Sequence, residues 1–279
     1  MKLLDAISSG NLVMLKELAK QLNGTKIEEI KDYDGDSALH HAAFHGRTKI
    51  CQYLVADLAF PVDFLSPKGE TPLFCAVMEG HAATVKYLIS RGANPAVLNN
   101  KGANPLHYAA RDGHVKLVKY LLSLGVPVDG ALKSAHFTPL MVAAQQGQAS
   151  TVKVLLQHHA KVNHATITDD TPLFSSVHAG SLECTKLLIQ AGADLNLECP
   201  LAMAVHMKSV EIIKCLLEAG ADPNYGQLPI EIALMGKNRD IVAMLFPLTS
   251  PMREVDDWSV QGIIEYANSD AFIQKVGAP

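Results

Sequence analysis

An all-α solenoid of about eight stacked helix pairs is the fold class this sequence predicts, on three observations. Seven Pro-Leu-like steps open short helical runs: Ser37-Ala38-Leu39, Thr71-Pro72-Leu73, Asn104-Pro105-Leu106, Thr138-Pro139-Leu140, Thr171-Pro172-Leu173, Cys199-Pro200-Leu201 and Leu228-Pro229-Ile230. Four of the six intervals between them are 33 or 34 residues, and the last two shorten to 28 and 29. Within a copy, two apolar runs at helical spacing are divided and closed by glycine. A fixed period of this size means one small supersecondary unit stacked many times. Such units bury their apolar sides against one another, which favours a long open binding surface over an enclosed catalytic pocket.

The copies read in order as follows. Residues 3 to 24 make an N-terminal capping repeat, with Leu3, Leu4 and Ile7 before Gly10 and the run Leu12 to Leu22 after it, so that the cap occupies 1–35. In the copy at 71–92, the Thr71 hydroxyl is expected to cap a helix whose first position is Pro72, where the missing N–H costs nothing. Leu73, Ala76 and Val77 face inward until Gly80 stops that helix. A second helix runs from about Ala82 to Arg91 with Val85, Leu88 and Ile89 at helical spacing, and Gly92 ends it. The polar stretch Asn94 to Gly102 then returns the chain to the next pair. The same order recurs from Gly113 to Gly125, from Gly147 onward, from Gly180 to Gly192 and from Lys208 to Gly220, so the array spans 1–248.

Composition excludes several classes. A hydrophobic fraction of 48% rules against wholesale disorder. The net charge of −4 gives no overall electrostatic footprint for nucleic acid. No apolar stretch is long enough to span a bilayer, and the acid in Met1-Lys2-Leu3-Leu4-Asp5 sits where a signal peptide needs its apolar segment. Five cysteines form an odd set without CxxC spacing, mostly at apolar helix positions, which fits the reducing cytoplasm or nucleus.

The run Asn104-Pro105-Leu106-His107-Tyr108-Ala109-Ala110-Arg111-Asp112-Gly113-His114-Val115-Lys116-Leu117-Val118-Lys119-Tyr120-Leu121-Leu122 resembles a nearly complete ankyrin repeat. Gly192-Ala193-Asp194-Leu195-Asn196 and Gly220-Ala221-Asp222-Pro223-Asn224 resemble that family's signature at the end of the second helix. The resemblance implies antiparallel helix pairs with short β-hairpin fingers, and a concave groove lined by fingers and inner helices. The family's histidine after Pro-Leu is kept only at His40 and His107; Phe74, Met141, Phe174, Ala202 and Glu231 replace it, which should loosen those joints or exchange a polar tie for packing. Only seven residues separate Gly192 from Cys199 and eight separate Gly220 from Leu228, so tight turns are expected there in place of fingers. Cys199 and Leu228 are also poor caps, costing about 1 kcal/mol each relative to Thr.

Residues 249–279 break the period. Thr249-Ser250-Pro251 reads as a stop and linker, and Val255, Trp258, Ile263, Ile264 and Ala267 fall on or near one helical face. Two readings stay open: a helix that caps the last repeat, or a linker into a further domain beyond this chain. The array followed by Asp256-Asp257-Trp258-Ser259-Val260-Gln261-Gly262-Ile263-Ile264-Glu265-Tyr266-Ala267 is similar to plant proteins that join ankyrin repeats to tetratricopeptide repeats. That resemblance implies a second module that docks the tails of chaperones.

No catalytic motif is present: no GxSxG elbow, no HExxH, no GxxxxGK[ST] loop and no GxGxxG after a strand. Twelve histidines include the pair His41 and His45, four apart as zinc ligands often are, yet no companion carboxylate or cysteine has matching spacing. Neither a metal nor a cofactor is expected, and the chain is read as non-enzymatic.

The family resemblance implies that a partner meets the finger tips and the two positions before each mid-repeat glycine. At the tips these are Tyr33, Asp34, Asp36, Lys68, Glu70, Asn100, Lys101, Phe137, Ile167 and Asp170. At the helix ends they are Phe44, His45, Met78, Glu79, Arg111, Asp112, Gln145, Gln146 and His178. Tyr33, Phe44, Met78 and Phe137 are candidate apolar anchors, and Arg111 a candidate carboxylate contact. Phe44 and Met78 read equally well as packing against the adjacent repeat, and Lys68 and Lys101 as solvated charges. The expected function is a monomeric protein-interaction module, an adaptor whose partner is another protein, with chaperones reached through the following module, and with no nucleic acid or membrane partner. The competing reading is an array that regulates another domain of a longer protein.

Overall fold

Among the residues described, sixteen helices form eight consecutive pairs and a seventeenth follows them. The structure is a computed structural model that describes residues 2–21, 27, 30–133, 136–226, 228–252, 254–269 and 272–274. The chain divides into two compact units, Met1–Lys161 and Val162–Pro279. The first unit holds α1 (Lys2–Ser9) and α2 (Leu12–Lys20), then α3 (Ala38–Phe44) and α4 (Thr48–Gln52), which continues as a π-helix over Tyr53–Asp57. It goes on with α5 (Pro72–Met78) and α6 (Ala82–Ser90), α7 (Pro105–Arg111) and α8 (Val115–Ser123), and α9 (Pro139–Gln145) and α10 (Ala149–Gln157). The first helices stack in order, α1 on α3, α3 on α5, α5 on α7 and α7 on α9, while α4 lies on α6 and α8 on α10.

The second unit holds α11 (Pro172–His178) and α12 (Leu182–Gln190), α13 (Pro200–His206) and α14 (Val210–Glu218), and α15 (Pro229–Met235) and α16 (Arg239–Leu245). After a short 3₁₀ turn at Phe246–Leu248 comes α17 (Val260–Ala267), which packs on α15 and buries Ile263 completely. Ser259 caps α17 by accepting the Gly262 N–H at 3.0 Å, and the Trp258 ring lies 5.2 Å from that of Phe246.

Helices of seven residues are too short to persist alone, so burial against neighbours must hold them. The Pro-Leu leucines show that burial: Leu39, Leu73, Leu106, Leu140 and Leu173 are all fully enclosed. Side-chain caps support some helix starts. Thr171 accepts the Phe174 N–H at 3.1 Å and Thr138 accepts that of Met141 at 3.4 Å. The cap expected from Thr71 is absent. The Phe74 N–H is taken by the Thr71 carbonyl at 2.9 Å, and the buried Thr71 hydroxyl bonds no other protein group. Cys199 and Leu228 supply no side-chain cap, and Cys199 adopts a left-handed φ of 51°.

The fingers are turns closed by a single rung. Ser66 N–H donates to the Glu70 carbonyl at 2.9 Å, Asn99 to Ala103 at 2.9 Å and Thr166 to Asp170 at 3.0 Å. Among the described residues one isolated antiparallel bridge, Lys31 to Ser37, is the extent of β pairing. The side chains that open these turns explain the compactness. Asp32, Ser66, Asn99 and Thr166 each accept the N–H groups two and four residues on, which satisfies the tip locally instead of through a longer ladder. Between Ala193 and Pro200 there is only a tight turn, with the Cys199 N–H on the Asn196 carbonyl at 2.9 Å, as the shortened spacing requires.

Several repeats carry a side chain where their neighbours have a left-handed glycine, among them His159, Lys208 and Lys237 with φ of 62°, 56° and 53°. A Cβ in that region costs about 1–2 kcal/mol, part of which glycine gives back through the unfolded chain. Each of His159→Gly, Lys208→Gly and Lys237→Gly should therefore stabilise the protein by about 0.5–1 kcal/mol, read as a higher urea midpoint.

Candidate functional site

In the first unit the helix ends are pinned from the next repeat. The residue after each mid-repeat glycine reaches back to the carbonyl two residues before the preceding one. Arg47 Nε and Nη2 donate to Ser8 O at 2.9 and 2.6 Å, His81 Nε2 to Phe44 O at 2.9 Å, His114 Nε2 to Met78 O at 2.9 Å, and Gln148 Nε2 to Arg111 O at 3.1 Å. The glycines make this approach possible: a Cβ on Gly80 would lie 2.7 Å from the His114 ring, and one on Gly46 2.6 Å from the His81 ring. Phe44, Met78 and Arg111, all expected partner-binding residues, are thus held by their main chain while their side chains stay at least part-exposed. His45, Glu79, Asp112 and Gln146 follow them as the C-cap residues of α3, α5, α7 and α9.

Seven of the expected residues line one open pocket of about 310 Å³: Asp34, Asp36, Phe44, His45, Lys68, Glu70 and Met78. His40, His41 and Cys75 complete its wall. Tyr33 stands outside it and is fully exposed. His41 was not expected here. Its Nε2 lies 2.8 Å from Asp32 Oδ2, which ties the first fingertip to α3. Burial pushes the Asp32 carboxyl up, but bonds from the Asp36 N–H, His41 and the Asp34 N–H outweigh it and hold the pKa below the usual value. Burial raises the Asp36 carboxyl and lowers the His40 and His45 imidazoles, with His41, Arg47 and His81 adding to the effect at His45. Among the described residues no group of three or more His, Cys, Asp or Glu is placed to hold a metal ion.

A polar knot separates this pocket from the next. The Tyr108 hydroxyl donates to Glu70 Oε1 at 2.6 Å, and Asn99 Nδ2 donates to both, at 3.2 Å to Glu70 and 3.1 Å to Tyr108. Beyond it, Lys101, Ala103, His107, Tyr108, Arg111, Leu132 and Val142 line a second, shallow and open pocket of about 200 Å³. Arg111 makes a bidentate pair with Asp112, Nε to Oδ1 at 2.9 Å and Nη2 to Oδ2 at 2.8 Å, and its guanidinium lies 5.0 Å from the Tyr108 ring centre. Hydrogen bonding to Asp112 raises the Arg111 pKa further, so the guanidinium keeps its charge. Phe137 is half-buried and its carbonyl accepts from His107 Nε2 at 3.3 Å. Asn100, Gln145 and Gln146 are exposed, and Asn100 bonds the preceding fingertip through Pro67 O at 2.9 Å.

In the second unit, Ile167 is exposed at a fingertip where Asp170 accepts from Thr168 Oγ1 at 3.0 Å, and His178 ends α11 with its ring stacked on Phe174. An open pocket of about 470 Å³ here is lined by Phe174, Cys199, Met203, His206, Ile232 and Met235 among others. Its signal in the sequence is the same pair of short finger segments, which leave the faces of α13 and α15 uncovered.

Two family models of ankyrin repeats match the sequence over most of the chain: a three-copy model over residues 58–131 and 129–199, and a many-copy model over 3–55. The chain belongs to the ankyrin-repeat family. A single-repeat model extends the match over 196–228. The human ASB11 ankyrin repeat domain has a similar structure, with a TM-score of 0.68, 30% identity, and coverage of 78% of this chain and 97% of that one. Similar curated proteins include the Target of rapamycin complex 2 subunit AVO2 of Saccharomyces cerevisiae, 31% identical over 68% of this chain and 37% of its own length. Human palmitoyltransferase ZDHHC13 is 30% identical over 77% of this chain and 31% of its own length. The chain thus spans about a third of these two relatives. Ankyrin repeats are generally protein-interaction modules, and this solenoid is one by family. No described helix is long and apolar enough to cross a membrane.

Proposed function

We propose that this ankyrin-repeat array is an adaptor that holds a segment of another protein against its fingertips and first-helix ends. One observation carries the reading: the main chain at Phe44, Met78 and Arg111 is pinned by the adjoining repeat, while their side chains are presented outward in a row. A surface prepared in this way binds without first ordering its own loops, which removes part of the entropic cost of association. The AVO2 relative is named as a subunit of a complex, a role of the same kind. The likeness of residues 256–267 to ankyrin–tetratricopeptide proteins extends the proposal to a following module that brings chaperones to the bound partner.

The test is the triple change Phe44→Ala, Met78→Ala and Arg111→Ala. It should weaken a partner captured by the wild-type chain at least thirtyfold, the scale of one hot spot of about 2 kcal/mol, while leaving the helical circular dichroism intact. Unchanged affinity in a folded triple variant would remove the assignment. A regulatory reading is favoured by the match to a palmitoyltransferase whose length the chain covers by only 31%. Addition of this array to a separated catalytic domain of the same longer protein would then lower that domain's activity, whereas an adaptor would leave it unchanged.

A further inference from the structure

We infer that the 200 Å³ pocket between Lys101 and Val142 takes an apolar side chain from an acidic peptide segment. The inference rests on the interaction reading above and names the chemistry of the partner. Charge is unevenly spread: in a chain of net charge −4, residues 96–161 carry seven lysines and arginines against two acids. Three of those cations stand around this pocket. Lys101 lines it, is exposed, and makes no ion pair among the described residues. Lys133 occupies the adjoining fingertip, with its N–H on the Lys101 carbonyl at 2.9 Å. Arg111 spends two of its five N–H donors on Asp112 and keeps three.

The acids nearby are fewer than the cations: Asp112 is paired with Arg111, and Glu70, to which the neutral Tyr108 and Asn99 donate, is one charge against both Lys101 and Lys133. His107 is neutral near pH 7, its pKa lowered by burial to about 4. The unspent charge at the rim is therefore positive, over a floor made by Ala103, Leu132, Val142 and the Tyr108 ring. An aliphatic side chain fits that floor, and carboxylates on either side of it meet the rim. Single-stranded nucleic acid fits less well, because the Tyr108 ring face that a base would stack on lies beside the Arg111 guanidinium.

The experiment is selection of a randomised twelve-residue peptide display library on the whole chain, with Lys101→Glu/Lys133→Glu as the paired variant. Both changed residues are exposed, and thermal melting confirms that the variant folds. Enriched peptides should carry a Leu, Ile, Met or Phe flanked by Asp or Glu. Anisotropy on a labelled winner should show at least tenfold weaker binding to the variant, and a similar loss when the apolar residue is changed to Ser. Affinity should also fall several-fold between 50 and 300 mM NaCl, as rim charge pairs are screened. Enriched peptides that are neutral or basic, and indifferent to the charge reversal, would overturn the acidic class while leaving the interaction reading standing. No enrichment over an unrelated helical protein would overturn both. Tighter binding of a 20-nucleotide single strand than of any peptide, lost in the variant, would assign the basic rim to nucleic acid instead.

Discussion

Replacing Phe74 with alanine is expected to destabilise the protein by about 3–5 kcal/mol, the range for removing a fully enclosed aromatic side chain. Phe74 has no exposed surface and meets the Tyr108 ring edge-on at 5.5 Å. It stands where His40 and His107 stand in their repeats, and there packing has replaced the imidazole tie. Loss of the ring opens a cavity at the joint of α5 and α7, and it removes the support for the Tyr108–Glu70–Asn99 knot. A single Phe74→Leu change keeps most of the volume and should cost less than half as much. Urea unfolding followed at 222 nm measures both, and a loss below 1 kcal/mol for the alanine variant would show that this joint is not tightly packed.

Acid should weaken the fold through His107. Its Nε2 lies 3.3 Å from the Phe137 carbonyl, and its Nδ1 lies 3.2 Å from the Asn104 N–H and 2.7 Å from Asn104 Oδ1. Protonation would place a positive charge inside a joint from which burial excludes water. Burial accordingly lowers the pKa to about 4, against an ordinary 6.5. The unfolded chain binds this proton first, so the contribution is complete above pH 6.5 and is lost as the pH falls towards 4. Its full size is on the order of 3 kcal/mol. His40, lowered in the same direction by burial, adds to the slope. Stability measured from pH 7.5 to 4 should decline for the wild type, and His107→Gln should flatten part of that decline at the expense of stability at neutral pH. A wild-type profile flat down to pH 4.5 would contradict the buried neutral imidazole.

The periodicity made the fold legible because each signal acts within a few residues. Pro72 and Gly80 bracket the first helix, and the expected second helix from Ala82 to Arg91 agrees with Ala82–Ser90 to one residue. Features that depend on distant or competing groups were not legible. The Thr71 hydroxyl has the right identity for a cap, but the backbone carbonyl beside it takes the Phe74 N–H instead. His159, Lys208 and Lys237 adopt the left-handed turn without glycine because the stacked helices on either side dictate it. The ties that pin the helix ends span 36 to 39 residues, as from His114 to Met78 and from Arg47 to Ser8, and only the fold brings them together. A faint trace of them exists in the sequence: Arg47, His81, His114 and Gln148 are all long and polar, directly after the mid-repeat glycine. In the second unit Ser181 takes that place and caps its own helix through the Cys184 N–H. Of the expected contact residues, those near Asp34 to Met78 converge on one pocket, whereas the partners of Arg111 at its own pocket, Leu132 and Val142, lie on elements whose approach no local pattern records.

Amide hydrogen exchange of the whole chain, with and without its tightest selected peptide, tests the binding face most directly. Slowed exchange at the fingertips and first-helix ends, around residues 68–79 and 100–112, with α8 and α10 unchanged, is the predicted result. Protection confined to α8 and α10, with those fingertips unaffected, would contradict it.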